Sequence, residues 1–241
     1  MARTERIRRK ELRQPDEFVT LSRRAVAYAE ENRTAFFMTV GGLVVLLAAI
    51  LIFRSVRSSR ETSASQAYAQ AHALLDDKKY DDAATAFRQV ADGYSSTGYA
   101  NLAQLEAGNA LLLAGKAGEA VVEYQKFLDA GPPTDYLRQL ALVRLGYGQE
   151  QDGKLAEAAQ TFASAAALQG PYAEEALAGQ ARVAEASGDT AAAKDLYTRF
   201  LEKFPDSDRR ALATSRLVAL GGTPPAPHAV VSTGPATVEA E

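Results

Sequence analysis

The chain of 241 residues has no cysteine, no tryptophan and two histidines. Without cysteine it has no disulfide bond, no thiolate metal site, no cysteine nucleophile and no lipid-modified cysteine anchor. Neither His72 nor His228 has a metal-binding partner at a ligand spacing. The sequence contains no phosphate-binding loop, dinucleotide-binding glycine pattern, serine-hydrolase elbow or zinc-protease motif. We therefore predict a protein that is not an enzyme and that uses no cofactor and no metal.

Basic residues are outnumbered in most of the chain. Residues 1–33 carry 9 Lys and Arg against 6 Asp and Glu, a net charge of +3. Residues 54–241 carry 18 against 24, a net charge of −6. Because the longer part is acidic and has no basic stripe, the sequence argues against nucleic acid as a partner.

One stretch of the chain, residues 34–53 (TAFFMTVGGLVVLLAAILIF), contains no charged residue. A helix rises about 1.5 Å per residue, so these residues reach roughly 30 Å, the thickness of the hydrocarbon core of a bilayer. We predict a transmembrane helix over 34–53. The alternative is a buried core helix, but such helices rarely stay uncharged on all faces for so long. The predicted anchor side chains are Phe36, Phe37, Leu43, Leu46, Leu47, Ile50 and Phe53.

Arginines flank both ends of this apolar stretch. The basic arm of residues 1–33 is short enough to follow the positive-inside rule, and this favours a cytoplasmic N-terminus. Three arginines at 54, 57 and 60 weaken the bias, but a long C-terminal domain is translocated largely regardless of its charge. The arm and the apolar stretch are both too long for a cleaved secretory signal. Apolar residues at helical spacing after Pro15 predict an amphipathic helix within the arm.

The sequence after residue 63 repeats itself four times, in segments that align at 79–87, 116–124, 154–162 and 189–197. One alanine position recurs every 35 to 38 residues; a small residue precedes it by twelve positions and an aromatic residue follows it by four. The alanines are Ala83, Ala120, Ala158 and Ala193; the small residues are Ala71, Gly108, Gly146 and Ala181; the aromatic residues are Phe87, Tyr124, Phe162 and Tyr197. Glycine, which suits the left-handed turn at a helix end, follows the first helix in three copies, at Gly115, Gly153 and Gly188.

These features resemble the tetratricopeptide repeat, a 34-residue helix–turn–helix unit. The resemblance implies an all-α fold, an α-solenoid of about four repeats at 64–97, 101–134, 139–172 and 174–207, with a capping helix over 208–220. The usual first-helix tryptophan and the tyrosine near the turn are missing, and alanine and leucine replace them. The alternative is a generic alanine-rich helical bundle, which does not account for five positions in common register.

We therefore divide the chain into five parts: a basic arm over 1–33, the transmembrane helix over 34–53, a link over 54–63, the repeat domain over 64–220 and a tail over 221–241. The tail has four prolines and few large apolar residues, so we predict that it is disordered.

Tetratricopeptide arrays generally hold peptides or helices in a groove lined by the first helix of each repeat. The positions that match this groove are Tyr68, His72, Leu105, Asn109, Leu112, Val143, Tyr147, Glu150, Arg182 and Glu185. Some of the leucines are alternatively core residues that pack against neighbouring helices. Asn109 alone matches the basic clamp with which some family members grip acidic C-terminal peptides. An apolar groove favours extended or partly folded polypeptide instead.

The layout of the whole chain resembles the bacterial ancillary subunit of the Sec translocon: a basic arm containing the run KELRQPDEF at 10–18, one uncleaved anchor and a small repeat domain. That resemblance implies an inner-membrane, single-pass protein whose C-terminal domain lies in the periplasm. It also implies that the partners are the translocon, periplasmic chaperones and exported polypeptides. The predicted function is an adaptor that tethers chaperones or exported clients near the translocon. The alternative is a scaffold for another envelope machine, such as cell division or outer-membrane assembly.

Overall fold

The computed structural model of the chain describes residue 27 and residues 33–226. Every regular element in this described part is an α-helix, so the predicted all-α class is confirmed. In chain order the helices are α1 (Arg33–Asp76), α2 (Tyr80–Gly93), α3 (Gly98–Leu113), α4 (Ala117–Asp129), α5 (Asp135–Gln151), α6 (Leu155–Ala167), α7 (Ala173–Ala186), α8 (Thr190–Lys203) and α9 (Arg210–Ala219). The amphipathic helix predicted in the arm and residues 227–241 of the predicted tail lie outside the described residues.

The chain divides into two compact units, Met1–Ser59 and Arg60–Glu241. In the first unit, α1 is long and apolar enough to cross a membrane by length and composition, and the most apolar part of it buries no residue against protein. All seven predicted anchor side chains are exposed there; Phe37, for example, is 70% exposed. A continuous apolar surface of this kind is typical of contact with lipid or with another protein.

The second unit is an array of stacked helix pairs. The first helices of the four repeats are the C-terminal part of α1 and helices α3, α5 and α7; the second helices are α2, α4, α6 and α8. From α2 to α9 each helix packs on the next, and α5 also packs on both α3 and α7. The first helices α3, α5 and α7 therefore form one continuous layer, as expected for an α-solenoid.

The first and second helices of a repeat are held together where an aromatic ring of the second helix packs closely against a glycine of the first. The ring of Phe162 on α6 is completely buried. A Cβ atom added to Gly146 on α5 would lie 2.8 Å from Phe162 Cε1, and one added to Gly179 on α7 would lie 2.6 Å from the same atom. Gly108 and Tyr124 have the same relation in the second repeat, at 2.5 Å. In the second and third repeats, the small and aromatic residues of the repeat pattern are therefore contact partners.

The turn between the two helices of a repeat has the same conformation in all four copies. Gly115, Gly153 and Gly188 have φ of 74°, 77° and 82°, and Lys78 occupies the same position in the first repeat with φ of 61°. The next backbone N–H donates to the carbonyl of the residue five positions earlier, in the first repeat from Lys79 N to Leu74 O at 2.9 Å. This bond closes the end of the first helix. The sequence predicts a turn within the first repeat but does not indicate its left-handed residue, because Lys78 carries no glycine signal.

A buried glutamine joins the third repeat to the fourth. Gln139 on α5 is 1% exposed, and its Nε2 donates to the carbonyls of Ala165 (3.1 Å) and Leu168 (3.0 Å) at the end of α6. Its Oε1 accepts from the backbone N–H of Tyr172 at 3.1 Å, immediately before α7. One side chain therefore binds three backbone groups on the two sides of the α6–α7 connection, and it fixes where α7 begins.

The array ends at α9, which covers the last core cluster. Ala213 and Leu217 are 5% and 0% exposed and pack in the cluster that contains Phe200 and Leu201 of α8. Leu212 on another face of α9 is 58% exposed. The predicted capping helix is therefore present, and it also offers an apolar side chain to a neighbouring surface.

We expect Lys78→Gly to stabilise the full chain in detergent by about 0.5–1 kcal/mol. The left-handed backbone costs a non-glycine residue about 1–2 kcal/mol, and glycine removes this cost. Part of the gain in stability is offset, because glycine has more conformational entropy to lose on folding. Chemical denaturation followed by circular dichroism measures the difference. Lys78→Ala is the matched control, since it removes the same side chain but keeps Cβ. An equal gain for both variants would show that the backbone conformation is not the cause.

We expect Gly146→Ala to destabilise the array by about 1–3 kcal/mol, because the new methyl group meets the buried ring of Phe162. The matched control is Gly93→Ala, where no atom lies within 4 Å of the added Cβ. The control should leave stability unchanged or raise it by up to about 1 kcal/mol through helix propensity. A Gly146→Ala protein with unaltered free energy of unfolding would contradict the role of this contact.

Candidate functional site

Two adjoining cavities open on the layer of first helices. The central cavity, of about 510 Å³, lies among α3, α5 and α7 and is lined by Asn109, Leu112, Leu113, Arg144, Tyr147, Gln151 and Glu175. The C-terminal cavity, of about 520 Å³, lies among α5, α7, α8 and α9 and is lined by Tyr147, Ala178, Arg182, Glu185, Ala186, Tyr197, Phe200, Arg209, Leu212, Ala213 and Arg216. Tyr147 belongs to both. We refer to the two cavities together as the groove.

Half of the ten predicted groove residues line these cavities: Asn109, Leu112, Tyr147, Arg182 and Glu185. Glu150 lies directly behind the lining, bonded to Arg182.

Two of the predictions need correction. Leu105 and Val143 are 2% and 0% exposed, so neither side chain reaches a ligand. Leu105 belongs to the core cluster of the first repeats, and Val143 packs in the cluster that contains Phe162. Both lie on first helices, as the repeat pattern requires, but on the face that packs against the second helices.

Tyr68 and His72 line neither cavity. Both pack edge-on against the buried ring of Phe87, with ring centroids 5.4 and 5.1 Å away. Burial, helped by the carboxylate of Glu106, raises the pKa of Tyr68 to about 12. These two residues therefore support the first repeat, where they are partly exposed, and the structure does not bring them together with the other predicted groove residues.

A fixed cation lies at the junction of the two cavities. Arg182 donates two hydrogen bonds to Glu150, from Nε to Oε1 at 2.6 Å and from Nη2 to Oε2 at 2.5 Å. Its guanidinium carbon lies 5.1 Å from the centroid of the Tyr147 ring, which itself meets Phe162 edge-on at 5.3 Å. The hydrogen bond to Glu150 raises the pKa of Arg182. Bidentate pairing and ring stacking therefore hold this charge in place.

The floor of the C-terminal cavity is a second polar cluster around Glu185. The Oη of Tyr197 donates to Glu185 Oε2 at 2.8 Å, and Arg216 Nη1 lies 3.3 Å from Glu185 Oε1. Burial, followed by this hydrogen bond, raises the pKa of Tyr197, so the phenol stays a donor at physiological pH. Both oxygens of the carboxylate are therefore occupied by groups of the cavity itself.

The central cavity has a balanced charge and an exposed apolar rim. Arg144 lies 3.8 Å from Glu175, and Asn109 accepts a hydrogen bond from the Oη of Tyr124 at 2.7 Å. Leu113 is 57% exposed at its edge. This arrangement suits contact with an extended chain that carries no strong charge.

Sequence reasoning missed several residues of the C-terminal cavity, among them Arg209, Leu212 and Arg216. It treated the last helix only as a cover for the open end of the array. A signal was present, since Leu212 and Arg216 are four residues apart and share one face of α9, and Arg209 precedes Leu212 by three residues at the N-cap of that helix. That face completes the cavity.

The groove carries side chains suited to binding a ligand. Within residues 33–226, no group of three acidic or histidine side chains is placed to hold a metal. The arginines, paired carboxylates, neutral phenols and exposed leucines recognise a ligand by ion pairs, hydrogen bonds and apolar contact.

Stacked helix pairs with cavities on the first-helix layer define an α-solenoid of the binding type. The family model of the tetratricopeptide repeat-like domain matches residues 27–222, and the chain belongs to this family. This fold is typically a non-enzymatic scaffold for protein interaction, and no catalytic family is indicated.

Solved structures give the same fold. A crystal structure of nearly identical TPR-like repeats from a Podosopora anserina protein, described as a kinesin light chain, aligns with a TM-score of 0.56 and 15% identity, covering 66% of this chain and 86% of that one. A single-substitution variant of that protein aligns with the same score and identity, covering 66% and 85%. No curated protein matches the chain in a sequence comparison.

Proposed function

We propose that the protein is a membrane-anchored adaptor that binds polypeptide segments of partner proteins in its groove. The observation that carries this proposal is the groove itself, in which two cavities of about 510 and 520 Å³ share the ring of Tyr147. Exposed Leu113 and Leu212 supply apolar contact, and fixed guanidinium groups supply orientation. A polypeptide segment offers side chains of both kinds along one extended ligand.

The anchor is the apolar part of α1. Its exposed side chains need a lipid environment, and the family match begins before this segment and runs through it. We keep the five-part division of the chain, with the arm at 1–33, the span at 34–53, the link at 54–63, the array at 64–220 and the tail at 221–241. In this arrangement the arm lies in the cytoplasm and the array in the periplasm.

Tethering is the mechanism. A binding site held at a membrane raises the local concentration of partners there without any additional contact. The layout of the chain favours the Sec translocon as the location, so the partners in this proposal are the translocon, periplasmic chaperones and exported polypeptides. A scaffold for cell division or outer-membrane assembly would use the same groove and the same anchor with different partners.

The proposed topology predicts a specific digestion pattern in cells. In spheroplasts, added protease should remove the array while the inner membrane is intact, because the array then lies outside that membrane. A tag on the N-terminus should become accessible only after the membrane is lysed. An array that resists protease until lysis would reverse the orientation, and a chain that fractionates entirely with soluble proteins would refute the anchor.

The adaptor function predicts contact with polypeptide in the groove. A photoreactive amino acid at Leu113, which lines the central cavity, should give protein adducts in intact membranes. The matched control is the same replacement at Val122 of α4, which is 51% exposed and lines neither cavity. Adducts with translocon or chaperone proteins support the first location, whereas adducts with division or assembly components replace it by the alternative. Equal adduct yields at both positions, or none, would refute the groove as the binding surface.

A further inference from the structure

We propose that the C-terminal cavity selects an acidic peptide segment, in which a carboxylate-bearing residue adjoins a large apolar one. This inference rests on the proposed function, because it names the chemistry of the polypeptide that the groove binds. It goes beyond the sequence-based expectation of extended polypeptide in the groove, since Arg209, Leu212 and Arg216 follow the fourth repeat and were not among the predicted groove residues.

The charges that line the cavity favour an anionic ligand. Three arginines, Arg182, Arg209 and Arg216, face a single lining carboxylate, Glu185. Glu150 behind the lining neutralises Arg182 and Glu185 neutralises Arg216, so among the described residues the cavity keeps one positive charge without an ion-pair partner, that of Arg209. Residues 54–241 as a whole are acidic, with 24 Asp and Glu against 18 Lys and Arg. The acidic surface of the rest of the domain repels acidic ligands, whereas the positive charge of this cavity attracts them.

The ion pairs and hydrogen bonds among these groups also favour an anionic ligand. Glu185 already accepts from Tyr197 and pairs with Arg216, and Glu150 behind the lining is bound by Arg182 at two atoms. A basic ligand would have to displace these internal partners. Arg209, by contrast, forms no ion pair within the described part of the chain, so its guanidinium is available to a ligand carboxylate.

The apolar residues that line the cavity favour a large apolar side chain next to the carboxylate of the ligand. Leu212 is 58% exposed at the cavity, next to the buried Phe200, and the small side chains Ala178 and Ala186 leave room above them. A volume of about 520 Å³ accommodates a leucine or phenylalanine side chain together with a neighbouring carboxylate. Arg209, at the N-cap of α9, and Leu212, in its first turn, both line this cavity, so the carboxylate and the apolar group that they bind can be neighbours in one ligand.

Fluorescence anisotropy on the full chain in lipid nanodiscs tests this inference. The probe is a labelled peptide of about ten residues, with a central Leu-Asp pair flanked by glycine and serine. Matched peptides carry Leu-Lys or Ala-Asp instead. We expect the Leu-Asp peptide to bind at least about tenfold more tightly than either. Raising the salt from about 0.05 M to about 1 M should weaken its binding, because screening then reaches contact distances.

Two variants of exposed residues separate the contributions. Arg209→Glu and Leu212→Asp should each weaken binding of the Leu-Asp peptide by about tenfold or more. The control is Arg199→Glu on α8, which makes the same charge change on an exposed side chain that lies outside the cavity. It should leave the affinity within about twofold. Equal losses for Arg209→Glu and Arg199→Glu would mean that net charge, and not this cavity, governs binding, and would overturn the inference.

The result also distinguishes this inference from the adaptor function. If the three peptides bind equally weakly while photoadducts still form at Leu113, the ligand chemistry is wrong and the adaptor function stands. If neither peptides nor adducts are seen, both fail. A chain shortened by residues 227–241 that binds the Leu-Asp peptide while the full chain does not would assign the cavity to the chain's own tail and overturn the proposal of a separate partner.

Discussion

Everything in the array depends on how closely an aromatic ring approaches a helix backbone. The ring of Phe162 lies against Gly146 of its own repeat and Gly179 of the next, with no room for a methyl group at either position. Because the ring touches both first helices, it sets the distance within a repeat and the distance between repeats at once. The layer of first helices, and hence the groove on its outer face, is positioned by contacts of this type.

Much of this arrangement could be predicted from the sequence, because the residues that make it recur at a fixed spacing. The pairs Gly108 with Tyr124 and Gly146 with Phe162 stand sixteen positions apart in successive copies, and periodicity of this kind survives changes elsewhere in the repeat. Features that occur once leave no such signal. The left-handed Lys78 and the buried Gln139 depend on contacts that form only in the folded chain, so local sequence patterns do not indicate them.

In the candidate site, too, some residues could be predicted from the sequence and others could not. Of the family groove positions, Tyr147 and Arg182 line a cavity, whereas Leu105 and Val143 are buried on the opposite face of their helices. Helical spacing fixes which residues share a face, whereas the direction of each face depends on the packing angle of neighbouring helices. The arginine-rich wall from α9 lies outside the repeats altogether, so a repeat pattern contains no information about it.

The ring of Tyr147 has a consequence for how the groove is filled. It is a common wall of the two cavities, stacked beneath Arg182 and in edge contact with Phe162. A rotation of this ring would change the shape of both cavities, and the occupancies of the two would then be thermodynamically linked. Such linkage is reciprocal: whatever the first occupant does to the affinity of the second, the second does equally to the first. A single long ligand avoids the conflict by satisfying both sides with one orientation of the ring.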